Sequence, residues 1–285
     1  LEAPETAETL IRSALAHREL TVRLMAVSAS LTLPATQSLP LLLEAMSHPG
    51  AKIRVRVLYA LLPLLADPKP VLRQTLLDVS PAVRNLALWA AARNEVDARA
   101  VLTQRLSQHL PTVKQHWLGV IGLAAELAVE LPERWHTPAL RSSYVTVRQA
   151  ATRLLRDDQL FELFEALDDP SEKVFAVVIE KLDKIPWSLL HIRLTAKLDQ
   201  DWHELTSKRR STIFRLVPTW QQLGYLLKRL DTGHAGQTYW LGQIAAWCDR
   251  QYLAFDPVTP KTDRAAWQEK LRELKANGQI RSGAR

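Results

Sequence analysis

Asp78-Val79-Ser80-Pro81-Ala82-Val83-Arg84-Asn85-Leu86-Ala87-Leu88-Trp89-Ala90 is the stretch that decides the fold. Ser80-Pro81 is a helix start: proline tolerates the first turn because its missing amide hydrogen would be unpaired there, and the serine before it can cap free amides. Val83, Ala87 and Ala90 follow at spacings of four and seven, which places them on one helical stripe. Small residues on that stripe let a neighbouring helix approach closely, so the stripe reads as a helix–helix contact.

The pattern recurs about every thirty residues. Val22-Arg23, Ile53-Arg54, Val113-Lys114, Val147-Arg148 and a degenerate Val174-Phe175 share the register of Val83-Arg84. Four residues on stand Ala26, Val57, Trp117, Ala151 and Val178; seven on stand Ala29, Ala60, Val120, Leu154 and Lys181. Turn chemistry precedes most of these stripes, at His48-Pro49-Gly50, Leu110-Pro111, Ser142-Ser143 and Asp169-Pro170, and Asp169 with Glu172 has the spacing of a capping box. Upstream of the stripes lie second apolar helical runs, Leu39 to Met46, Val71 to Leu77, Ala98 to Leu106 and Leu160 to Leu167. The unit is therefore a helix pair whose apolar faces are buried only by stacking on the next pair, and such arrays favour an extended binding surface over an active site.

An Asp five residues before the dipeptide, as at Asp78 and Asp169, with Ala at the fourth position beyond it, resembles the short bacterial HEAT-like repeat, similar to repeats of phycobilisome-lyase-type proteins. The resemblance covers residues 17–183. It departs from the pattern at His17 and His48, which stand for the Asp, at Trp117 and at Phe175. It implies an all-α fold, a right-handed α-solenoid of stacked helix pairs, and a concave surface that binds proteins, with a minority of nucleic-acid binders and enzymes among its members. Trp117, the one large ring on the stripe, is expected to open the repeat spacing or to fill a gap left by Gly119 and Gly122.

The expected organisation is an array of about six pairs over residues 1–184 and divergent, basic helical repeats over 185–255. A capping helix over 261–276 and a disordered tail over 277–285 follow. Ile185-Pro186-Trp187 and Val217-Pro218-Thr219-Trp220 open the divergent pairs, Asp256 to Pro260 breaks the last of them, and Trp267, Leu271 and Leu274 form the apolar face of the cap. With 47% hydrophobic residues and nine glycines, the composition suits an all-helical protein. The single Cys248, beside Trp247, excludes an internal disulfide and a cysteine-cluster metal site and reads as a buried thiol. No run of eighteen apolar residues and no signal peptide is evident, so the cytoplasm is the expected location, and the chain starts at Leu1 without methionine, as a trimmed chain or a piece of a larger one would.

Charge divides the chain. Residues 1–190 carry 21 Lys or Arg against 21 Asp or Glu, whereas residues 191–285 carry 16 against 9, so the net +7 belongs to the last third. Lys208, Arg209, Arg210, Arg215, Lys228 and Arg229 concentrate it, interleaved with Trp202, Trp220, Tyr225, Tyr239, Trp240 and Trp247. Cations with stackable rings are what nucleic-acid surfaces use; the plainer reading puts the rings in an irregular core and the cations on a solvated loop. The repeated Arg23, Arg54, Arg84 and Arg148 invite the same comparison. A cationic groove is one reading; the resemblance implies that Asp and Arg of neighbouring units pair across the stack, and this is the favoured reading, with Asp78 and Asp169 as candidate acids.

No catalytic constellation emerges. His203-Glu204 is a lone His-Glu pair, His109 and His116 are unsupported as metal ligands, and glycine-rich phosphate loops, serine elbows and kinase signatures are lacking. The leading expectation is a non-enzymatic interaction module without cofactor or metal, binding a protein along the second helices through Arg84, Trp89, Lys114 and Arg148. Trp89, two positions past Ala87, turns away from the packing stripe. The alternative is nucleic-acid binding by the six basic residues of the C-terminal third. A third reading is an enzyme, either like a phycobilin lyase with a pocket near Trp117 or Trp135, or like a DNA glycosylase using Trp187, Trp202 and Asp199 or Asp201.

Overall fold

The structure, a computed structural model, describes residues 4–232 and 237–250. Among these residues it is all-helical, with sixteen α-helices and one 3-10 turn and no strand. They run as consecutive pairs: α1 Pro4–Leu15 with α2 Leu20–Ser30, α3 Ala35–Ala45 with α4 Ala51–Leu61, α5 Lys69–Thr75 with α6 Pro81–Arg93, and α7 Ala98–Ser107 with α8 Lys114–Glu126. Next come α9 Glu133–Leu140 with α10 Val145–Leu154, α11 Leu160–Ala166 with α12 Glu172–Leu182, α13 Trp187–Asp201 with α14 Ser207–Phe214, and α15 Thr219–Thr232 with α16 Gln237–Arg250. Two compact units divide the chain, Leu1–Val177 and Val178–Arg285, the division falling inside α12. The expected cap over 261–276 and tail over 277–285 lie outside the described residues, as does the Cys248 side chain.

In the first unit each first helix packs on its partner, from α1 on α2 to α9 on α10. Second helices also touch each other, α2 on α4, α4 on α6, and α8 on α10. The repeated stripe explains these contacts. Ile53, Val83, Val147, Val57, Ala87, Ala151, Ala60 and Ala90 are buried, and a continuous apolar cluster passes from Leu58 on α4 through Leu72, Val83 and Ala87 to Val120, Trp135 and Ala151. Each fully buried Val or Leu contributes about 1.5–3 kcal/mol, so the pairs stabilise one another. Ala29 and Val113 depart from the stripe and are exposed. Ala29 lies on the first of the second helices, while Val113 precedes α8, which starts at Lys114. In the other units the helix begins two residues before the β-branched position, so α8 starts three residues late in register.

Because the Ala87 and Ala151 methyls have no solvent to expand into, Ala87→Leu or Ala151→Leu should destabilise the fold by about 1–3 kcal/mol, measured by urea unfolding.

Trp117 does not fill the gap beside Gly119 and Gly122. It is buried edge-on against Trp135, with centroids 5.3 Å apart and planes at 71°, and Trp135 Nε1 donates to the Leu106 carbonyl at 2.9 Å. The space beside the two glycines is taken from the preceding pair. A Cβ on Gly119 would lie 2.0 Å from the Leu77 carbonyl oxygen, and one on Gly122 would lie 2.3 Å from the Arg84 guanidinium carbon. Gly119 and Gly122 therefore bring α8 against its predecessor, while Trp117 fills a different site.

The second unit is built around aromatic residues. Leu190, Leu194, Leu198 and Trp202 form a buried four-residue spacing along α13. Trp202 contacts Phe214, Tyr225 and Trp240 at centroid distances of 5.5, 5.6 and 5.1 Å, and its Nε1 donates to Tyr239 Oη at 2.9 Å. Gln222 ties three elements together: Trp247 Nε1 donates to its Oε1 at 3.0 Å, and its Nε2 donates to the Val217 and Phe214 carbonyls.

Candidate interaction face

The repeated arginines are placed by one local arrangement. In four units Nη1 donates to the backbone carbonyl six residues earlier: Arg23 to His17 at 2.9 Å, Arg54 to His48 at 2.8 Å, Arg84 to Asp78 at 2.7 Å and Arg148 to Ser142 at 2.8 Å. The side chain of that earlier residue in turn accepts from the amide two positions on, His17 from Glu19, His48 from Gly50, Asp78 from Ser80 and Ser142 from Tyr144. Asp169 accepts from Ser171 in the same way. The Ser80 side chain, expected to cap the first-turn amides of α6, makes no such bond; Asp78 instead accepts from the amide of Ser80 itself. Arginine closes the loop and the loop residue starts the helix.

The rest of each guanidinium reaches into the next unit. Arg54 Nε and Nη2 grip Asp78 at 2.8 and 2.7 Å, Arg84 grips Glu126 at 2.9 and 2.8 Å, and Arg148 grips Asp169 at 2.6 and 3.0 Å. Such two-pronged charge-assisted bonds fix both distance and plane. The hydrogen bonds to Asp169 also raise the Arg148 pKa above its ordinary value. Arg23 is the exception: its Nε is buried without a hydrogen-bond partner among the described residues. The register position that holds Asp78 for Arg54 and Asp169 for Arg148 is His48 for Arg23. His48→Asp should therefore supply the missing carboxylate and raise stability by about 1 kcal/mol, read as an increase in the urea midpoint at unchanged slope.

With these residues accounted for, the remaining charge on the second helices stands out. Helices α2, α4 and α6 contain no acid, and among α2, α4, α6, α8 and α10 the one acid is Glu126, already held by Arg84. A groove of about 540 Å³ crosses α2, α4 and α6, with Leu24, Val55 and Leu86 along it and Lys52, Arg56 and Tyr59 at its edge. Large apolar side chains stand in solvent on the same helices: Met25 is 70% exposed, Tyr59 61% and Trp89 50%. Tyr59 and Trp89 each lie six residues after their β-branched stripe residue, so they repeat in consecutive units. The Arg93 guanidinium sits 3.8 Å from the Trp89 ring centroid, a cation over a π face.

Of the four residues expected to bind a partner, Trp89 is exposed and Lys114, the first residue of α8, is half-buried. Arg84 is buried and Arg148 nearly so, both engaged in the inter-unit bridges. Tyr59, Lys52, Arg56 and the groove between them escaped the sequence reading. The signal available for Tyr59 was its shared register with Trp89.

Of the six basic residues expected to bind nucleic acid, five lie on α14 and α15, and Arg215 follows the end of α14. Lys208, Arg209 and Arg210 belong to α14 rather than to a loop. Arg210 donates to the Trp202 carbonyl at 2.9 Å and lies 5.3 Å from its ring centroid; Arg229 pairs with Asp199 at 2.7 Å and faces the Tyr225 ring. Arg215 is exposed and bonds Thr212 Oγ1; Lys208 and Lys228 are exposed and Arg209 is half-buried. Trp202, Tyr225, Trp240 and Trp247 are core residues, and the Trp220 side chain lies outside the described set. Burial raises the Tyr225 pKa, against the pull of Arg229. Of the residues considered for a glycosylase, Asp199 pairs with Arg229 and Asp201 with Lys197, and Trp187 is half-buried against His191. Trp117 and Trp135, beside which a lyase pocket was expected, pack on each other. Among the described residues no three His, Cys, Asp or Glu side chains gather as a metal site would require, and no helix is long and apolar enough to cross a membrane.

His136 on α9 gives the first unit a pH response. Burial lowers its pKa from the ordinary 6.5, against weaker upward pulls from Glu162 and the Ala151 carbonyl, and its Nε2 has no hydrogen-bond partner. The folded state prefers the neutral ring. Its contribution is complete above pH 6.5 and is lost as pH falls below 6.5 and through the lower folded value. Urea unfolding should show stability declining across that acid window, and His136→Leu should flatten the decline.

The sequence matches no known protein family, and no curated protein is similar to it.

Proposed function

We propose that the protein is a non-enzymatic interaction module, a right-handed α-solenoid of HEAT-like helix pairs that holds a protein partner along a concave face of its second helices, with the cytoplasm as its location. One observation carries this reading: Met25, Tyr59 and Trp89 project into solvent from α2, α4 and α6, while Arg54, Arg84 and Arg148 are consumed inside the array. Exposed aromatic side chains flanked by cations are the kind of anchor on which binding energy concentrates. Affinity capture with the full chain, followed by titration of the recovered partner, tests it. Tyr59→Ala and Trp89→Ala should each weaken binding by more than about 1 kcal/mol. If both, together with Lys114→Ala, leave affinity unchanged, the second-helix face is not the recognition surface.

A nucleic-acid role for the C-terminal third rests on its charge, because four of the rings that would stack on bases, Trp202, Tyr225, Trp240 and Trp247, are in the core. It requires binding that falls steeply with salt, and a Lys208→Ala, Arg209→Ala double variant with a shallower salt slope. Salt-insensitive or absent binding to single- and double-stranded probes would remove it.

A further inference from the structure

We propose that the groove across α2, α4 and α6 takes an acidic peptide segment of a partner protein, anchored by apolar side chains between Leu24, Val55 and Leu86 and held by carboxylates on Lys52 and Arg56. It rests on the interaction-module reading and names the partner's chemistry.

Three observations lead to this ligand. Lys52, Val55, Arg56 and Tyr59 fall at positions i, i+3, i+4 and i+7 of α4, so one stripe of one helix carries two cations alternating with two apolar side chains. Lys52 and Arg56 are a like-charged i,i+4 pair, an arrangement that disfavours the free helix. Arg56 meets only a neutral group, Ser28 Oγ at 3.1 Å, and neither cation is ion-paired to a carboxylate among the described residues. The other guanidinium of α4, Arg54, has its carboxylate. On α4 the internal charge pairing is thus complete at the buried position and open at the groove.

The lining chooses among anions. Apart from Lys52, Arg56 and Tyr59 the lining is apolar, so a phosphodiester chain, charged at every unit, would satisfy those donors but press its other charged oxygens against Leu24, Val55 and Leu86 with nothing to receive them. A neutral apolar ligand would in turn desolvate Lys52 and Arg56 with nothing to pair them. A segment that alternates Leu or Phe with Asp or Glu satisfies both surfaces. The groove is lined from three helices, and the outer two of them, α2 and α6, carry the exposed Met25 and Trp89, so a ligand with several anchors in sequence suits it better than a compact molecule.

The experiment selects twelve-residue peptides from a random display library on the full chain, then measures labelled synthetic copies by fluorescence anisotropy. Enriched peptides should carry net negative charge with at least two large apolar residues. Tyr59→Ala should weaken the best of them about tenfold, and the pair Lys52→Glu, Arg56→Glu should abolish its binding while favouring a copy in which every Asp and Glu is replaced by Lys. Lys52→Met with Arg56→Met, which keeps the apolar stems, guards against a folding defect and should weaken binding without inverting the preference; circular dichroism melts confirm that each variant folds.

Enrichment of neutral or basic peptides, or of none, overturns the proposal. Acidic peptides indifferent to Tyr59, Lys52 and Arg56 overturn it too, while leaving the broader interaction face to the capture experiment above. Concentration-dependent self-association that these variants abolish would make a second copy of the chain the occupant, and would likewise overturn it.

Discussion

Asp78→Ala is expected to destabilise the protein by about 3–5 kcal/mol. The Arg54 guanidinium it partners is 8% exposed and the carboxylate 13%, so removing the acid leaves a charge in a poorly solvated site with no counter-charge. The two backbone acceptors of Nη1, the His48 and Pro49 carbonyls, remain, yet they carry only partial charge. A second loss compounds the first: Asp78 Oδ1 also receives the Ser80 amide and starts α6. Asp78→Asn separates the two effects, because it keeps an acceptor for the amide and removes the charge. Chemical denaturation should place Asn between wild type and Ala. A change below about 1 kcal/mol for Ala would mean the guanidinium is relieved by solvent.

Gly119→Ala should cost about 3 kcal/mol, at the upper end of overpacking effects. The added methyl would start 2.0 Å from the Leu77 carbonyl oxygen and 2.9 Å from its carbon. Backbone cannot rotate aside as a side chain does, so α8 must retreat from the end of α5, and the retreat should loosen the Arg84–Glu126 bridge between neighbouring elements. Gly122→Ala meets the Arg84 guanidinium instead, at 2.3–2.5 Å. That group is flexible in principle but fixed here by Glu126 and the Asp78 carbonyl. The double variant should fall short of additivity, since both changes push on the same contact. Thermal melts of the three variants give this directly.

The repeating stripe was readable because its period is a property of the helix alone. Ile53, Val83, Ala87, Val147 and Ala151 are buried whatever lies opposite, so spacing sufficed to find them. Asp78 and Asp169 were legible as candidate acids for the repeated arginines through the resemblance to HEAT-like repeats, and their partners are Arg54 and Arg148. Arg84 breaks that logic. Its partner Glu126 is 42 residues away, at the far end of α8 and outside the Asp register, and the two glycines that admit the bridge looked like a gap for Trp117. Which surface fills a small-residue position depends on the neighbouring helix, and periodicity within one helix carries no information about it. The groove escaped for the same reason. Leu24, Val55 and Leu86 sit on three helices whose adjacency creates it, and only the exposed Trp89 could be named from its own turn of helix. In the second unit the mixture of rings and cations was equally compatible with a core and with a binding surface. The burial of Trp202, Trp240 and Trp247 assigns those rings to the core.

The claim on which the rest depends is that the repeated arginine is an internal staple between consecutive helix pairs, leaving Lys52, Arg56, Tyr59 and Trp89 as the outward face. A double-mutant cycle on Arg54→Met and Asp78→Leu tests it most directly. Each single change should cost at least about 3 kcal/mol by stranding its partner, whereas the double variant, which replaces the pair by apolar side chains and still lacks the acceptor for the Ser80 amide, should lie within about 2 kcal/mol of wild type, giving a coupling of several kcal/mol. Additive single effects, with no recovery in the double variant, would contradict the staple and return the arginines to the list of groups available for a ligand.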